Sequence, residues 1–284
     1  MTIAVVVFAY NRPSHLKKMM TSLFQCKGVS RFPIVAFVDG AKSHDDKVQI
    51  LECLRILESY SVNIHVREHN IGLKSNIIDG LNYVSHDFDA FIVLEDDIIL
   101  HPDFLIYHKF FLQKLVLNEK VFSISGFSPQ LDSVTSDYYY NKRFSSWGWS
   151  TWSKSWQAIN WNPRYSRRRL VHRLEFSSNL GSDVDRMLRL SLLGKISSWA
   201  IIVTYHAFLN DLYSVSPRRS LVKNIGLGDN ATHTRSELGY RIDELPRNES
   251  VELKITDIQF NKKIWKEHRR LFNLLARAKR KFAL

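Results

Sequence analysis

Apolar and polar residues alternate in blocks along the first 125 residues, and each block has the length of a strand or a helix. Short runs rich in β-branched and aromatic residues predict buried strands. These runs are residues 2–9, 33–38, 62–66, 90–94 and 121–125. Longer stretches with apolar residues every three or four positions predict helices, at residues 13–25, 45–59, 74–84 and 102–116. This alternation indicates an α/β fold with a mostly parallel central sheet and helices on both faces.

The pattern changes after Gly126. Residues 127–181 are rich in Ser, Tyr, Trp and Arg, and their hydrophobic periodicity is weak. The periodicity then predicts helices at 183–193 and 199–209 and short strands near 213–216 and 220–225. We therefore expect a first half at 1–125, a second half at 126–258 that forms the other side of a cleft, and a separate C-terminal helix at 259–284.

The C-terminal helix is amphipathic and strongly basic. Nine Lys or Arg residues lie between 262 and 281 against the single acid Glu267, so this segment holds most of the net charge of +12. A basic amphipathic helix is typical of binding to an anionic membrane surface. Docking of the same helix back onto the domain is the alternative.

Three consecutive carboxylates, Glu95-Asp96-Asp97, follow the strand at residues 90–94. Adjacent negative charges at the end of a buried strand need a neutralising partner. A divalent cation that is bridged to a phosphate is the simplest one. The position fits as well, because open α/β sheets bind ligands beyond the carboxyl ends of their strands. A solvated acidic turn is the alternative, and the apolar segments on both sides argue against it.

Polar residues also follow the other predicted strands, so they should meet at the same edge of the sheet. They are Asn11 and Arg12 after the first strand, Asp39 and Gly40 after the second, and Asn70, Gly72 and Lys74 after the third. Arginine can pair with phosphate oxygens in a fork. The chain has no glycine-rich phosphate-binding loop of a known pattern, so a metal would have to hold the phosphates. Together these residues predict a nucleoside-diphosphate site.

The ordered set of motifs resembles the glycosyltransferases of GT-A fold. The motifs are VVVFAYNRP at 5–13, FVD at 37–39, VLEDD at 93–97, WGW at 147–149, LVKNIG at 221–226 and ATHT at 231–234. Within that fold the chain looks most like bacterial sugar transferases related to N-acetylglucosaminyltransferase I, which carries Glu-Asp-Asp in place of the commoner Asp-x-Asp. The resemblance covers residues 2–235. It implies a Rossmann-like GT-A fold, with a nucleotide-sugar-binding half at 1–125 and an acceptor-binding and catalytic half at 126–258.

The resemblance also implies a role for each residue of the acidic triplet. Asp97 is the expected direct ligand of Mn²⁺ or Mg²⁺. Asp96 is expected to contact ribose, and Glu95 the donor sugar.

The remaining nucleotide-sugar contacts are implied in the same way. Asp39 is expected to contact the base and Arg12 to lie beside the nucleotide, while Thr232 and His233 lie on a loop that closes over the diphosphate. Asn70 and Lys74 join this set because they follow a strand end. Read without the resemblance, Arg12 is equally well a surface residue at a helix start, Asp39 an ordinary turn residue and His233 a loop histidine.

The catalytic base is where the chain departs from the pattern. An inverting enzyme uses a carboxylate to deprotonate the acceptor hydroxyl, and N-acetylglucosaminyltransferase I carries it in a Trp-Asp-Asp-Trp stretch. The spacing to a later proline places that stretch at 199–202, where Ala200 and Ile201 replace both acids. Asp183 and Asp185, upstream on a predicted helix, are the nearest candidates, with Asp211 a third. We favour Asp185 over Asp183, although both also suit helix N-terminal acids that the macrodipole favours.

Aromatic and basic residues of the second half are candidates for acceptor binding. Trp147 and Trp149 flank Gly148 and could stack on sugar faces, whereas Trp152 and Trp156 are expected in the core. A basic cluster could meet the diphosphate of a lipid-linked acceptor or form a solvated charged face. It consists of Arg164, Arg167, Arg168, Arg169 and Arg173.

These observations predict a metal-dependent, inverting glycosyltransferase. It would move a sugar from a nucleotide-sugar, with a UDP-sugar favoured, to a bacterial surface-polysaccharide or lipid-linked glycan acceptor, without a nucleic-acid partner. Cys26 and Cys53 stand in no disulfide or metal spacing, and the apolar N-terminus is predicted to be a strand rather than a signal peptide. We therefore expect a cytoplasmic protein that is peripheral on the cytoplasmic face of the inner membrane.

Two alternatives remain open at this point. A sugar-phosphate nucleotidyltransferase shares much of the sheet but would want a glycine-rich stretch near the first strand, where residues 10–13 read YNRP. A non-enzymatic basic protein that binds nucleic acid or membranes would account for the charge. The concentration of that charge in one terminal segment argues against a continuous nucleic-acid surface.

Overall fold

A computed structural model describes residues 1–165, 170–226, 253 and 259–273. The strands are β1 (Ile3–Ala9), β2 (Ile34–Val38), β3 (Asn63–Val66), β4 (Ala90–Glu95), β5 (Ile98–Leu100), β6 (Val121–Ser125), β7 (Tyr138–Asn141), β8 (Trp149–Trp152), β9 (Tyr213–Pro217) and β10 (Val222–Asn224). The helices are α1 (Pro13–Phe24), α2 (His44–Glu58), α3 (Gly72–Asp87), α4 (Phe104–Lys114), α5 (Ser153–Gln157), α6 (Leu170–Leu180), α7 (Val184–Leu192), α8 (Ala200–Leu209) and α9 (Lys262–Arg270).

Eight strands form one central sheet in the order β3-β2-β1-β4-β8-β6-β9-β7. Strands β1 to β4 are parallel to one another, and β6 is parallel to β9. Strand β8 pairs antiparallel with both β4 and β6 and so joins the two halves of the chain in one sheet. The predicted α/β fold with a mostly parallel, Rossmann-like sheet is confirmed.

Side chains of each central strand alternate between two helical layers, as strand geometry requires. Val5 and Val7 of β1 pack in the core on the side of α1, α2 and α4. Val6 and Phe8 pack on the opposite side, against α3 and the helices of the second half. Because both faces are covered, β1 and β4 are apolar at nearly every position, which is why their sequences are continuous apolar runs.

Two strands of the eight-stranded sheet, β7 and β8, and two helices, α5 and α6, were not predicted from the sequence, and neither was the short strand β5. Strands β7 and β8 and helices α5 and α6 fall in the stretch of weak periodicity at 127–181. Every side chain of β8 is buried, so it shows no alternation of polar and apolar residues. Its Ser150 and Thr151 satisfy their hydroxyls internally, with His108 Nδ1 and the Phe122 carbonyl. Polar residues in the sequence therefore concealed an interior strand.

Helix α9 docks on the second half through its apolar side. Ile264, Trp265 and His268 are buried, and the Glu267 carboxylate accepts hydrogen bonds from the backbone N–H groups of Asp132 and Ser133 at 2.7 and 2.9 Å. Docking back onto the domain, the alternative from the sequence, is thus what the structure has at 262–270. The remainder of the predicted helix, 274–284, lies outside the described residues. Within the described residues, no helix has the length and apolarity to cross a bilayer.

Candidate active site

The structure brings the residues that follow β1, β2 and β4 to one edge of the sheet. Arg12 follows β1, Asp39 follows β2, and the triplet Glu95, Asp96 and Asp97 follows β4. These strands are adjacent and parallel in the order β2-β1-β4, so their carboxyl ends lie side by side. The sheet edge expected to bind a nucleoside diphosphate is therefore assembled as the strand pattern predicts.

Arg12 holds two of the three carboxylates. Its guanidinium donates to both oxygens of Asp96, with Nε 3.3 Å from Oδ2 and Nη2 close to Oδ1. Its Nη1 lies 3.1 Å from Oδ2 of Asp97. The Arg12 side chain is 26% exposed, and the carboxylates of Asp96 and Asp97 are 3% and 12% exposed. One positive charge thus pairs with two nearly buried negative charges, so the site keeps a net negative charge.

The net negative charge and the burial of the site raise the pKa values of two of its carboxyl groups. Burial raises the pKa of Asp96 to about 6, even though Arg12 acts in the opposite direction. Burial and the charges of Asp97 and Asp96 raise the pKa of Glu95 to about 8. Desolvation and like-charge repulsion both disfavour the ionised form of a carboxyl. A divalent cation would relieve both effects.

Asp97 lies against a segment from the far end of the second half. Strand β10 pairs antiparallel with β5, which follows Asp97 directly, and the Ile225 N–H donates to the Asp97 carbonyl at 2.8 Å. At Gly226, a Cβ atom would lie 2.2 Å from Oδ2 of Asp97. Only glycine leaves this carboxylate oxygen room. Gly226 belongs to the LVKNIG motif at 221–226, but the sequence indicated no role for it.

The oxygen ligands that Asp97 offers fit a divalent cation whose other ligands come from substrate phosphates and water. In the portions of the chain that the structure describes, no group of three or more His, Cys, Asp or Glu side chains could hold a metal ion. Mg²⁺ and similar ions bind through one or two carboxylates, with substrate phosphates and waters as further ligands. A carboxylate oxygen kept clear by a glycine matches that mode.

Asp39 has a different environment from the one expected. Its two carboxylate oxygens accept from the backbone N–H groups of Gly40, Ile71 and Gly72, each at 2.9 Å. The Asn70 side-chain amide adds a fourth hydrogen bond at 3.1 Å. These donors occupy the acceptor sites of the carboxylate and fix the loop that begins α3. The bonds argue against a direct contact of Asp39 or Asn70 with the base and favour a role in shaping the loop.

Comparisons with known proteins agree with this arrangement. Residues 4–115 match the family model described as glycosyl transferase family 2. This part of the chain is similar to family 2 glycosyltransferases. The matched range runs from β1 to the end of α4 and includes Arg12, Asp39 and the acidic triplet. The match bears out the predicted resemblance to glycosyltransferases over these residues, whereas the closer relation to N-acetylglucosaminyltransferase I stays a prediction.

Solved glycosyltransferases resemble the chain at low sequence identity. TarS 1-349 from S. aureus is 12% identical with a TM-score of 0.49, over 80% of this chain and 61% of that one. The mannosyltransferase PcManGT from Pyrobaculum calidifontis, solved with GDP-Man and Mn²⁺, is 11% identical with a TM-score of 0.40, over 52% and 44%. Glucosyl-3-phosphoglycerate synthase from Mycobacterium tuberculosis, solved with Mn²⁺, UDP and glucosyl-3-phosphoglycerate, is 15% identical with a TM-score of 0.37, over 67% of each chain. The chain spans less than two thirds of TarS 1-349 and of PcManGT.

The other predicted donor residues of the glycosyltransferase divide into two groups. Lys74 lies in the first turn of α3 and is half-buried, close in sequence to the loop that Asp39 fixes. Thr232 and His233 lie outside the described residues. Their predicted contact with the diphosphate stays a prediction, and Gly226 shows only that the chain leading to them passes Asp97.

The two tryptophans predicted to bind the acceptor differ in position. Trp149 is fully buried in the core, packed against Phe91 and Trp199, so its prediction as an acceptor contact is wrong. Trp147 is half-buried and meets the Phe127 ring edge to face at 4.7 Å between centroids. Trp147 therefore remains a candidate for acceptor binding. Trp152 and Trp156 are buried, as predicted.

The predicted bases Asp183 and Asp185 are held by arginines. Arg143 binds Asp183 with two hydrogen bonds of 3.0 and 2.6 Å. Asp185 accepts from Arg173 at 2.7 and 3.0 Å, and from Arg189 at 3.1 Å.

The acidity and position of these aspartates also speak against a catalytic role. The hydrogen bond from Arg173 lowers the pKa of Asp185 to about 2, so it is a weak base. Arg143 follows Lys142, which pairs with Asp211 directly before β9, and β9 runs parallel to β6. The strand directions therefore place the Arg143–Asp183 pair toward the end of the sheet opposite to Asp97. Both predictions of a catalytic base are corrected to structural ion pairs.

The position at which the resemblance of the sequence places a catalytic base begins an apolar helix. Trp199 precedes α8 and is buried, and Ala200 packs against the same core. Ile201 is buried as well. Within the first turn of α8 there is no acidic residue, in agreement with the departure seen in the sequence.

Proposed function

We propose that the chain transfers a sugar from a nucleoside-diphosphate sugar to a hydroxyl of a glycan or lipid-linked acceptor. The observation that carries the proposal is the Asp97 carboxylate just after β4, beside which Gly226 has no side chain to fill the space, in a stretch that matches the family 2 glycosyltransferase model. A UDP-sugar is the favoured donor. Inversion at the anomeric carbon belongs to the proposal through the resemblance of the sequence, with the base unassigned.

Asp97 would hold Mn²⁺ or Mg²⁺, with Asp96 beside it. When bound, such an ion neutralises charge that develops on the departing diphosphate. The chain's own residues position the donor: Arg12 offers a guanidinium at the diphosphate, and Asp39 fixes the loop before α3 through its hydrogen bonds. Glu95, half-buried at the end of β4, faces the donor-sugar side in this proposal.

A panel of nucleotide-sugars tests the proposal. Binding is measured by calorimetry with and without Mn²⁺ on wild type, Asp97→Asn and Asp87→Asn. Asp87 is the exposed last residue of α3, which precedes the amino end of β4, and its variant is the matched control. We expect one donor to bind with Mn²⁺, and affinity to fall at least 100-fold in Asp97→Asn alone. Binding that ignores both Mn²⁺ and Asp97 would contradict the metal site.

The identity of the products separates the proposal from its enzymatic alternative. A glycosyltransferase releases a nucleoside diphosphate, whereas a sugar-phosphate nucleotidyltransferase releases pyrophosphate. A salt-dependent gel shift with random oligonucleotides would instead favour the nucleic-acid alternative.

We further propose that the acceptor lies at an anionic membrane surface and that α9 faces it with its basic side, on the cytoplasmic face of the inner membrane. The support is the exposure of Lys262, Lys263, Lys266 and Arg270 on the side of α9 away from the domain. Each Lys or Arg near an anionic membrane surface contributes about 1 kcal/mol to the free energy of membrane binding. Both cysteines are free and buried, in keeping with a reducing compartment.

Charge variants test the membrane proposal better than truncation, because Ile264, Trp265 and His268 are part of the core. Pelleting with phosphatidylglycerol vesicles is compared for Lys262, Lys263 and Lys266→Gln together and for the exposed triple Lys17, Lys18 and Lys114→Gln. We expect at least a ten-fold loss of vesicle affinity for the α9 triple and less than a two-fold change for the control. Equal losses would contradict a specific role of α9.

A further inference from the structure

The oxygen of Asp97 that lies beside Gly226 is already in contact with a cation. Oδ2 of Asp97 faces Gly226, and the same oxygen lies 3.1 Å from Nη1 of Arg12. A divalent ion bound at Oδ2 would stand within a few ångströms of the guanidinium. Two cations at that separation repel each other strongly in a site that is nearly closed to water.

Arg12 is bound in a way that allows it to leave Asp97 without leaving the site. Two of its three contacts are to Asp96, through Nε and Nη2, and only Nη1 reaches Asp97. Arg12 stands at the N-cap position of α1, and its side chain makes no capping hydrogen bond. A rotation about the Asp96 contacts would therefore release Asp97 and disrupt neither β1 nor α1.

We propose that Arg12 is the resident counter-cation of Asp97 and competes with the metal for Oδ2. In the protein without donor, the guanidinium neutralises Asp97 and weakens metal binding. The diphosphate of the donor offers the guanidinium another anion, since arginine pairs with phosphate oxygens in a fork. Donor binding thus draws Arg12 away from Asp97 and opens Oδ2, so that metal and nucleotide bind cooperatively. This inference rests on the proposed function, because it assumes a metal at Asp97.

Cooperativity of this kind is reciprocal by thermodynamic necessity. UDP must strengthen Mn²⁺ binding by the same factor by which Mn²⁺ strengthens UDP binding. Removing the Arg12 charge should raise the affinity for Mn²⁺ alone and reduce the coupling. If Arg12 merely held the two aspartates in position, its removal would weaken Mn²⁺ binding instead. The two roles therefore predict opposite signs.

The test is a Mn²⁺ titration followed by electron paramagnetic resonance, with and without UDP. Wild type, Arg12→Gln, Arg12→Lys and Asp97→Asn are compared, and urea unfolding checks that each is folded. In wild type we expect UDP to tighten Mn²⁺ binding at least ten-fold. Arg12→Gln should bind Mn²⁺ alone at least ten-fold more tightly than wild type, with a coupling below three-fold. Arg12→Lys keeps the charge and should stay within about three-fold of wild type for Mn²⁺ alone.

Each outcome points to one conclusion. Mn²⁺ binding by folded Arg12→Gln that equals or falls below that of wild type overturns the competition. Absence of Mn²⁺ binding by wild type with UDP overturns the proposed metal site itself. Should Arg12→Gln not fold, the Arg12 Nη1–H signal of wild type, which reports the contact with Asp97, is followed by NMR as Mg²⁺ and UDP are added. A change that needs both ligands supports release, and an unchanged signal overturns it.

Discussion

Two pairs of neighbouring aspartates lie in contrasting surroundings. Asp96 and Asp97 at the end of β4 share one cation, Arg12, among the residues that the structure describes. At the start of α7, Asp183 forms a salt bridge with Arg143. Asp185 forms salt bridges with both Arg173 and Arg189. Burial raises the pKa of Asp96 to about 6, whereas the hydrogen bond from Arg173 lowers the pKa of Asp185 to about 2. Residue type is the same in both places, and the supply of positive charge differs.

The comparison separates a binding site from a structural ion pair. Carboxylates that lack sufficient counter-charge gain from an added cation, and such sites are where ligands and metals bind. A carboxylate that is already paired with two arginines is not stabilised further by an added cation. The sequence could offer Asp185 as a base because its arginines are 12 residues before it and 4 residues after it, and no spacing rule singles out the first of them.

The largest effect should come from closing the space beside Asp97. In Gly226→Ala the new methyl group would lie 2.2 Å from Oδ2 of Asp97, so the carboxylate or the segment must move. We expect Mn²⁺-dependent nucleotide binding to fall at least 100-fold, as measured by calorimetry. Gly194→Ala is the control, since a methyl group there meets nothing but strains a positive φ. It should lower stability by about 1 kcal/mol and leave binding unchanged, and equal binding losses would refute the steric explanation.

Asp185→Asn should reduce stability without touching the donor site. Loss of charged hydrogen bonds from Arg173 and Arg189 costs about 2 kcal/mol, measured by urea unfolding at pH 7. The native pKa of about 2 lies below the ordinary 3.8, so the ionised form stabilises the fold above pH 4. The difference between wild type and variant should shrink as the pH falls from about 4 to 2. Unchanged stability together with lost turnover would restore Asp185 as the catalytic base.

The smallest effect should be the pH dependence that Glu95 confers. Its native pKa of about 8 lies above the ordinary 4.5, so the folded state keeps a proton that the unfolded state loses. Stability of the metal-free protein should therefore fall as the pH rises from about 4.5 to 8. Because Glu95 is only half-buried, we expect its contribution to lower the free energy of unfolding by about 1 kcal/mol over this range, or Tm by about 3 °C. The raised pKa of Asp96 adds a slope of the same sign below about pH 6, so Glu95→Gln should flatten the slope between about pH 6 and 8. An equally steep slope there in the variant would assign it to other groups.

Much of the donor half follows from local sequence alone. Continuous apolar runs fix β1 and β4, because a strand covered on both faces has no polar side. Pro13 begins α1 as its fixed φ favours, and the acidic triplet ends β4 where parallel strands bind ligands. Each of these signals is contained in a stretch of about ten residues or fewer, so the sequence is sufficient to read it.

The tertiary structure decided which of those residues are paired and which are open. Arg12 reaches Asp96 across 84 residues, and Gly226 reaches Asp97 from the far end of the second half. Trp149 is part of the core because β8 inserts between β4 and β6. The hydrophobic periodicity of the sequence did not predict this strand. Ion pairing and burial depend on distances through space, and these follow from strand order and direction. The sequence by itself determined where acids and cations stand along the chain, and only the fold determined which of them neutralise one another.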